Sequence, residues 1–157
     1  MLHCTFENGN IASLRHVTVD ALLVQDRKLL LVKRSPKLSE GGKWALVGGY
    51  VERNETVKKA IAREVMEETG YQAQQLKLFT IRDQPDRTGE DRQNISFIFT
   101  GTVGQKLANA DWEIDAVQWF NLDELPAANT IAFDHGVIIE LYKKSQQSNQ
   151  AQQLLSD

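Results

Sequence analysis

The chain has one cysteine, Cys4, in 157 residues. No internal disulfide and no multi-cysteine zinc site can form, which fits a reducing compartment. No apolar run approaches the ~20 residues that a membrane-spanning helix needs. The first ten residues, MLHCTFENGN, have neither a basic nor an apolar stretch of the kind a signal peptide carries. An excess of positive charge is also missing. Eighteen Lys+Arg stand against 21 Asp+Glu, a net charge of −3, so the basic face that binds duplex nucleic acid is not expected. Apolar residues make up 41% and charged residues 25%, ordinary globular usage that excludes wholesale disorder. The expectation is a cytoplasmic chain with one domain and one sizeable core, with neither a membrane nor a nucleic acid as partner.

Within the chain, residues 1–12 read as an extension, 13–145 as the domain and 146–157 as a polar, frayed, glutamine-rich tail. Leu14 to Val24 and Lys28 to Lys33 read as strands around a turn at Gln25-Asp26-Arg27. SPKLSEGGK, residues 35–43, is a loop by composition, and Trp44 to Val47 is a short apolar stretch that stops at Gly48-Gly49. The spacing predicts a helix from Asn54, as N-cap, to Thr69, closed by Gly70. Further strands are expected at Leu76 to Arg82, Asn94 to Val103 and Val117 to Phe120. A helical turn is expected at Leu122 to Leu125. A second helix at Asp134 to Lys144 has Val137, Ile138, Leu141 and Tyr142 as its apolar face. This order predicts an α/β (α+β) fold, a mixed β-sheet sandwiched between helices.

The first helix carries Glu64, Glu67 and Glu68 at i, i+3 and i+4, on one face. Their neighbours four residues on are Glu68, Tyr71 and Gln72, and the one cation at helical spacing is Arg63, four residues before Glu67. Three carboxylates with one partner leave negative charge that a hard divalent cation can use, and magnesium takes oxygen ligands of this kind. A solvated acidic patch is the plain alternative. Gly48-Gly49 permits a close backbone approach beside the cluster, and Arg63 can hold a carboxylate in its planar fork.

Gly49 to Tyr71 reads GYVERNETVKKAIAREVMEETGY. It resembles the signature of the Nudix hydrolases, G-x5-E-x7-R-E-U-x-E-E-x-G-U with U a bulky apolar residue: Gly49, Glu55, Arg63, Glu64, Val65, Glu67, Glu68 and Gly70 all match, with Tyr71 an aromatic variant at the end. Many relatives have leucine-proline-glycine-glycine before this box. Here the segment is Leu46-Val47-Gly48-Gly49, so a less pre-organised loop is expected. The resemblance implies a Nudix fold and Mg-dependent hydrolysis of a nucleoside diphosphate linked to another group X, with Mn2+ as a substitute metal. It implies Glu64, Glu67, Glu68 and the Gly48 carbonyl as metal ligands. Arg63 orients the box carboxylates, and Glu55 braces the loop, with Gly49 and Gly70 as structural box residues. Some relatives draw the catalytic base from a late loop. Glu113 is the candidate here, against Glu67 or Glu68, and an exposed loop acid is the plain reading of Glu113.

For X, Pro85 stands 15 residues after Gly70, which resembles ADP-ribose pyrophosphatases. Arg82, Arg87 and Arg92 flank it and can grip phosphates or a terminal ribose phosphate, although a solvated loop balanced by Asp83, Asp86, Glu90 and Asp91 is an equal reading. Arg34, near the box, and Phe133, with His135 at the start of the last helix, are candidates for the nucleotide pocket. A structural histidine is the plainer reading of His135. ADP-ribose or a related nucleotide sugar is the preferred substrate. A housecleaning hydrolase of (8-oxo-)dNTPs and a non-catalytic nucleotide sensor are the alternatives. A homodimer is compatible with the sequence.

Overall fold

The computed structural model describes residues 2–86 and 93–154. Nine strands and two helices run in the order β1 (Leu2–Thr5), β2 (Ile11–Leu14), β3 (Val17–Gln25), β4 (Lys28–Arg34), β5 (Trp44–Ala45), β6 (Val47–Tyr50), α1 (Val57–Thr69), β7 (Tyr71–Arg82), β8 (Ile95–Lys106), β9 (Ile114–Asn121) and α2 (His135–Leu154). Among the described residues no helix is long and apolar enough to cross a membrane.

Strand β3 is the axis. It pairs antiparallel with β4 and β6 and parallel with β8, and β7 lies outside β8 as an edge. On the other wing β4 carries β5 and β9. This is the expected mixed sheet. The β3–β4 turn has Asp26 and Arg27 at φ 48° and 59°, the paired positive values of the tight hairpin turn whose twist matches that of the strands.

The sheet is buried on both faces, so its central strands read as near-continuous apolar runs. On one face Val19, Ala21 and Leu23 meet Ala60, Ile61 and Val65 of α1. On the other Leu22, Leu29, Leu31 and Ile98 meet Ile138 and Ile139 of α2. The second face changes character along β3. Beyond Leu22 it carries Asp20 and Thr18, with Ser96 opposite Thr18 on β8, and all three are buried. Buried polar side chains carry a desolvation cost unless they find partners, so this end of the sheet is built for something other than core.

Several sequence expectations are corrected. Residues 2–14 form a separate hairpin with Gly9 at φ 85°, so the expected extension of residues 1–12 carries strands of its own and reaches to Leu14; Asn8-Gly9 is its turn signal. Helix α1 starts at Val57 with Thr56 as N-cap, its hydroxyl accepting from Lys59 N–H at 3.3 Å. Asn54 stands at φ 71° because Glu55 ties the preceding loop to Arg63. Strand β7 begins at Tyr71, five residues early, its polar edge residues masking the alternation. Val47 is a ladder residue opposite Ala21, so the segment before Gly48 is held as strand rather than as a loose turn. Leu122–Glu124 is a turn, and the short helix lies later, at Ala128–Thr130. Helix α2 continues past residue 145 to Leu154, where a frayed tail is expected. Its buried face is Ile138 and Ile139, with Val137 and Leu141 exposed.

Candidate active site

Arg63 organises the signature box. Its Nη2 donates to Glu55 Oε1 at 2.8 Å and to the Tyr50 carbonyl at 3.0 Å. Its Nη1 donates to Glu64 Oε1 and Glu67 Oε2, each at 2.8 Å. One planar guanidinium thus joins the loop before the helix to two carboxylates on it, which a lysine cannot do. Glu55 also accepts from Glu52 N–H at 2.8 Å, and these bonds lower its pKa, Arg63 foremost. It does not line the cavity described below, and its contacts are those of a loop brace.

Glu68 lies deeper, 5% exposed. Its Oε2 accepts from Gly48 N–H at 3.0 Å. Burial holds its carboxyl well above the usual carboxylate range, opposed by that N–H and pushed further by Glu64. Burial also raises Glu64, against the pull of Arg63. Gly49 lets the Glu64 carboxylate lie against the backbone: a Cβ there would force that carboxylate to move. Gly70 closes the helix in the left-handed region, at φ 73°, where side chains are disfavoured.

The three carboxylates line one cavity of about 330 Å³ with Gly48, Gly49 and Arg63. Glu113, from the loop before β9, is brought to it, together with Asp111, and Glu113 itself pushes Glu64 up. The same cavity is lined by Arg34 and Phe133, and the Arg34 charge pulls against the burial that raises Glu68. The Arg34 guanidinium lies 5.0 Å over the Phe133 ring, a cation–π contact, and Phe133 has φ 53°, a strained value for an aromatic residue. Arg82 does not line this cavity: its Nη2 is bound to Asp134 Oδ2 at 3.0 Å, and it acts by holding that acid on the wall. Arg87 and Arg92 lie outside the described residues. Sequence reasoning missed Thr18, Asp20, Ser96 and Asp111, which also line the cavity. The signal was present in VTVDALL, where two polar residues alternate on one face of an apolar strand.

The donor set fits a hard divalent cation, since Glu64, Glu67, Glu68, Asp111 and Glu113 all bring carboxylate oxygens to the one cavity. Among the described residues no three of these carboxylates converge on one point as they stand. Glu67 is turned to Arg63, and its side chain, 46% exposed, has room to swing.

A family model, the NUDIX domain, matches residues 14–142. The chain belongs to the Nudix family. It is 36% identical over 129 residues to an ADP-ribose pyrophosphatase of Methanocaldococcus jannaschii, covering 82% of this chain and 73% of that relative. It is 37% identical over 97 residues to the NAD-capped RNA hydrolase NudC of Pasteurella multocida, but spans 35% of that protein's length. Among solved structures, a MutT NUDIX hydrolase from Burkholderia pseudomallei superposes with a TM-score of 0.70 at 26% identity, covering 82% of this chain and 98% of that one. This Nudix chain is accordingly a pyrophosphohydrolase, and the family uses divalent metal ions.

The raised carboxyls set a pH dependence. Glu64 and Glu68 keep their protons to higher pH in the folded chain than in the unfolded one. The stability they contribute is complete below about pH 4 and is lost as pH rises through their folded values. In metal-free protein, Glu68→Gln should remove much of this loss. Melting curves from about pH 5 to pH 8 should therefore fall less steeply for the variant than for the wild type; parallel curves would contradict the assignment.

Proposed function

We propose that the chain hydrolyses the pyrophosphate bond of ADP-ribose, or of a closely related nucleoside diphosphate sugar, with magnesium held by Glu64, Glu67, Glu68 and the Gly48 carbonyl. The observation that carries this reading is one cavity lined both by the α1 carboxylates and by the stacked Arg34–Phe133 pair. An anionic diphosphate suits the guanidinium, and an aromatic face suits a base or sugar. The 36% identity to an ADP-ribose pyrophosphatase supports the same substrate class.

When bound, magnesium neutralises the diphosphate and lowers the pKa of the attacking water. The protein's own part is positional. Arg63 and Gly48 N–H aim the carboxylates; in this reading Glu113, which lines the cavity, is the group that accepts the water's proton, and Arg34 meets the substrate's charge. Glu67 is the competing base. A cytoplasmic location and manganese as a substitute metal belong to the same reading.

The test is turnover of a panel with magnesium: ADP-ribose, dinucleoside polyphosphates, NADH, dNTPs and 8-oxo-dNTPs. The expected result is the highest kcat/KM on ADP-ribose, by ~10-fold or more over the triphosphates, a difference of about 1.4 kcal/mol. A preference for a triphosphate would replace this reading with nucleotide-pool housecleaning.

A further inference from the structure

The short strands β5 and β6 are interrupted at Leu46, which is 2% exposed. A buried backbone N–H needs an acceptor. Leu46 N–H donates to His135 Nδ1 at 2.9 Å, across 89 residues of sequence. An imidazole nitrogen that accepts is unprotonated, so the neutral ring carries its proton on Nε2. Nε2 stands 3.4 Å from Asp20 Oδ1, and His135 is 7% exposed. Both ring nitrogens are therefore engaged.

The same junction is tied by backbone. Ala132 N–H donates to the Trp44 carbonyl at 2.8 Å, so the approach to α2 docks along residues 44–46. Two residues on, Gly48 is paired with Asp20 in the β3–β6 ladder and gives its N–H to Glu68. Asp20, His135, Leu46 and Gly48 thus form one closed set of contacts ending on the buried carboxylate.

We propose that His135 is a positioning residue for the metal-binding end of the cavity: its imidazole fixes the Leu46–Gly48 segment and, through it, the N–H that orients Glu68. This rests on the reading of Glu68 as a metal ligand. Other residues that orient ligands change metal affinity by about 10–100-fold when replaced, and the same scale applies here.

The test uses two polar variants of the full chain. The side-chain oxygen of Asn falls near the place of Nδ1, and that of Gln near the place of Nε2. His135→Asn keeps an acceptor for Leu46 N–H, and His135→Gln does not. Manganese binding is followed by titration calorimetry below the melting temperature, and KM for ADP-ribose is measured at saturating metal. His135→Gln should weaken manganese binding by ~10-fold or more, and His135→Asn should restore it to within ~3-fold of wild type, with KM little changed in both. A lowered melting temperature with unchanged manganese affinity in His135→Gln makes the histidine purely structural and overturns the proposal. A raised KM with unchanged metal affinity makes it a substrate contact and also overturns it. A wild-type chain that takes up no manganese overturns the metal reading as well. Wild-type protein alone gives an independent check: ¹⁵N NMR should show His135 as the Nε2–H tautomer, and an Nδ1–H tautomer contradicts the contact with Leu46.

Discussion

Glu68→Gln should lower kcat by ~10³-fold or more while leaving the protein folded and at least as stable at neutral pH. The two halves of this result have one cause. The Glu68 carboxylate is buried, with Gly48 N–H as its hydrogen-bond donor, and burial already disfavours its charge. A carboxyl buried at such a cost is retained for chemistry, and stability and activity trade against each other at such positions. Glutamine keeps the shape and an oxygen for Gly48 N–H, but it cannot neutralise a cation. Its loss is felt most where charge develops, in the transition state, so kcat falls more than KM changes. Glu55→Gln is the control. Glu55 touches Arg63 and Glu52 N–H and does not line the cavity, so its loss should cost activity much less. Steady-state kinetics and melting curves on the two variants check this. Equal losses at both positions would overturn the division between ligand and brace.

The box was legible in sequence because its chemistry is local. Gly49 to Tyr71 spans one loop and one helix, so the i, i+3, i+4 spacing of Glu64, Glu67 and Glu68 converts directly into one face. The central strands were legible for a similar reason: LLLV in β4 has no polar residue to place outward, which fits burial on both sides. Local signals failed where tertiary contacts decide. Asn54 is a good N-cap residue, but the Glu55–Arg63 pair eight residues apart holds it out of the helix, and Thr56 takes the role. The buried face of α2 is offset from the expected one because Ile138 and Ile139 meet a sheet that is itself apolar on both faces.

The contacts made across the cavity lining illustrate the limit more sharply. His135 read as structural until its two nitrogens could be traced to Leu46 and Asp20, residues far away in sequence. Thr18 and Ser96 are joined at 2.6 Å across 78 residues, and nothing in either segment names the other. Arg82, read as a hand for phosphate, is engaged with Asp134. A residue's type announces what it can bind; which partner it reaches is decided by topology.

Removing divalent metal should have the largest effect of all, a complete loss of ADP-ribose hydrolysis. The carboxylates of Glu64, Glu67 and Glu68 share one cavity with Glu113 and Asp111, and the nearby cations, Arg63 and Arg34, do not balance them. A diphosphate adds further negative charge. Without a cation the site repels its own substrate, and no residue in it can activate a water at neutral pH as a bound metal does. The most direct measurement follows AMP and ribose 5-phosphate by mass spectrometry from ADP-ribose in excess chelator, then after magnesium is restored. The account predicts no products above background in chelator and full recovery with magnesium. Undiminished formation of AMP in excess chelator would contradict it.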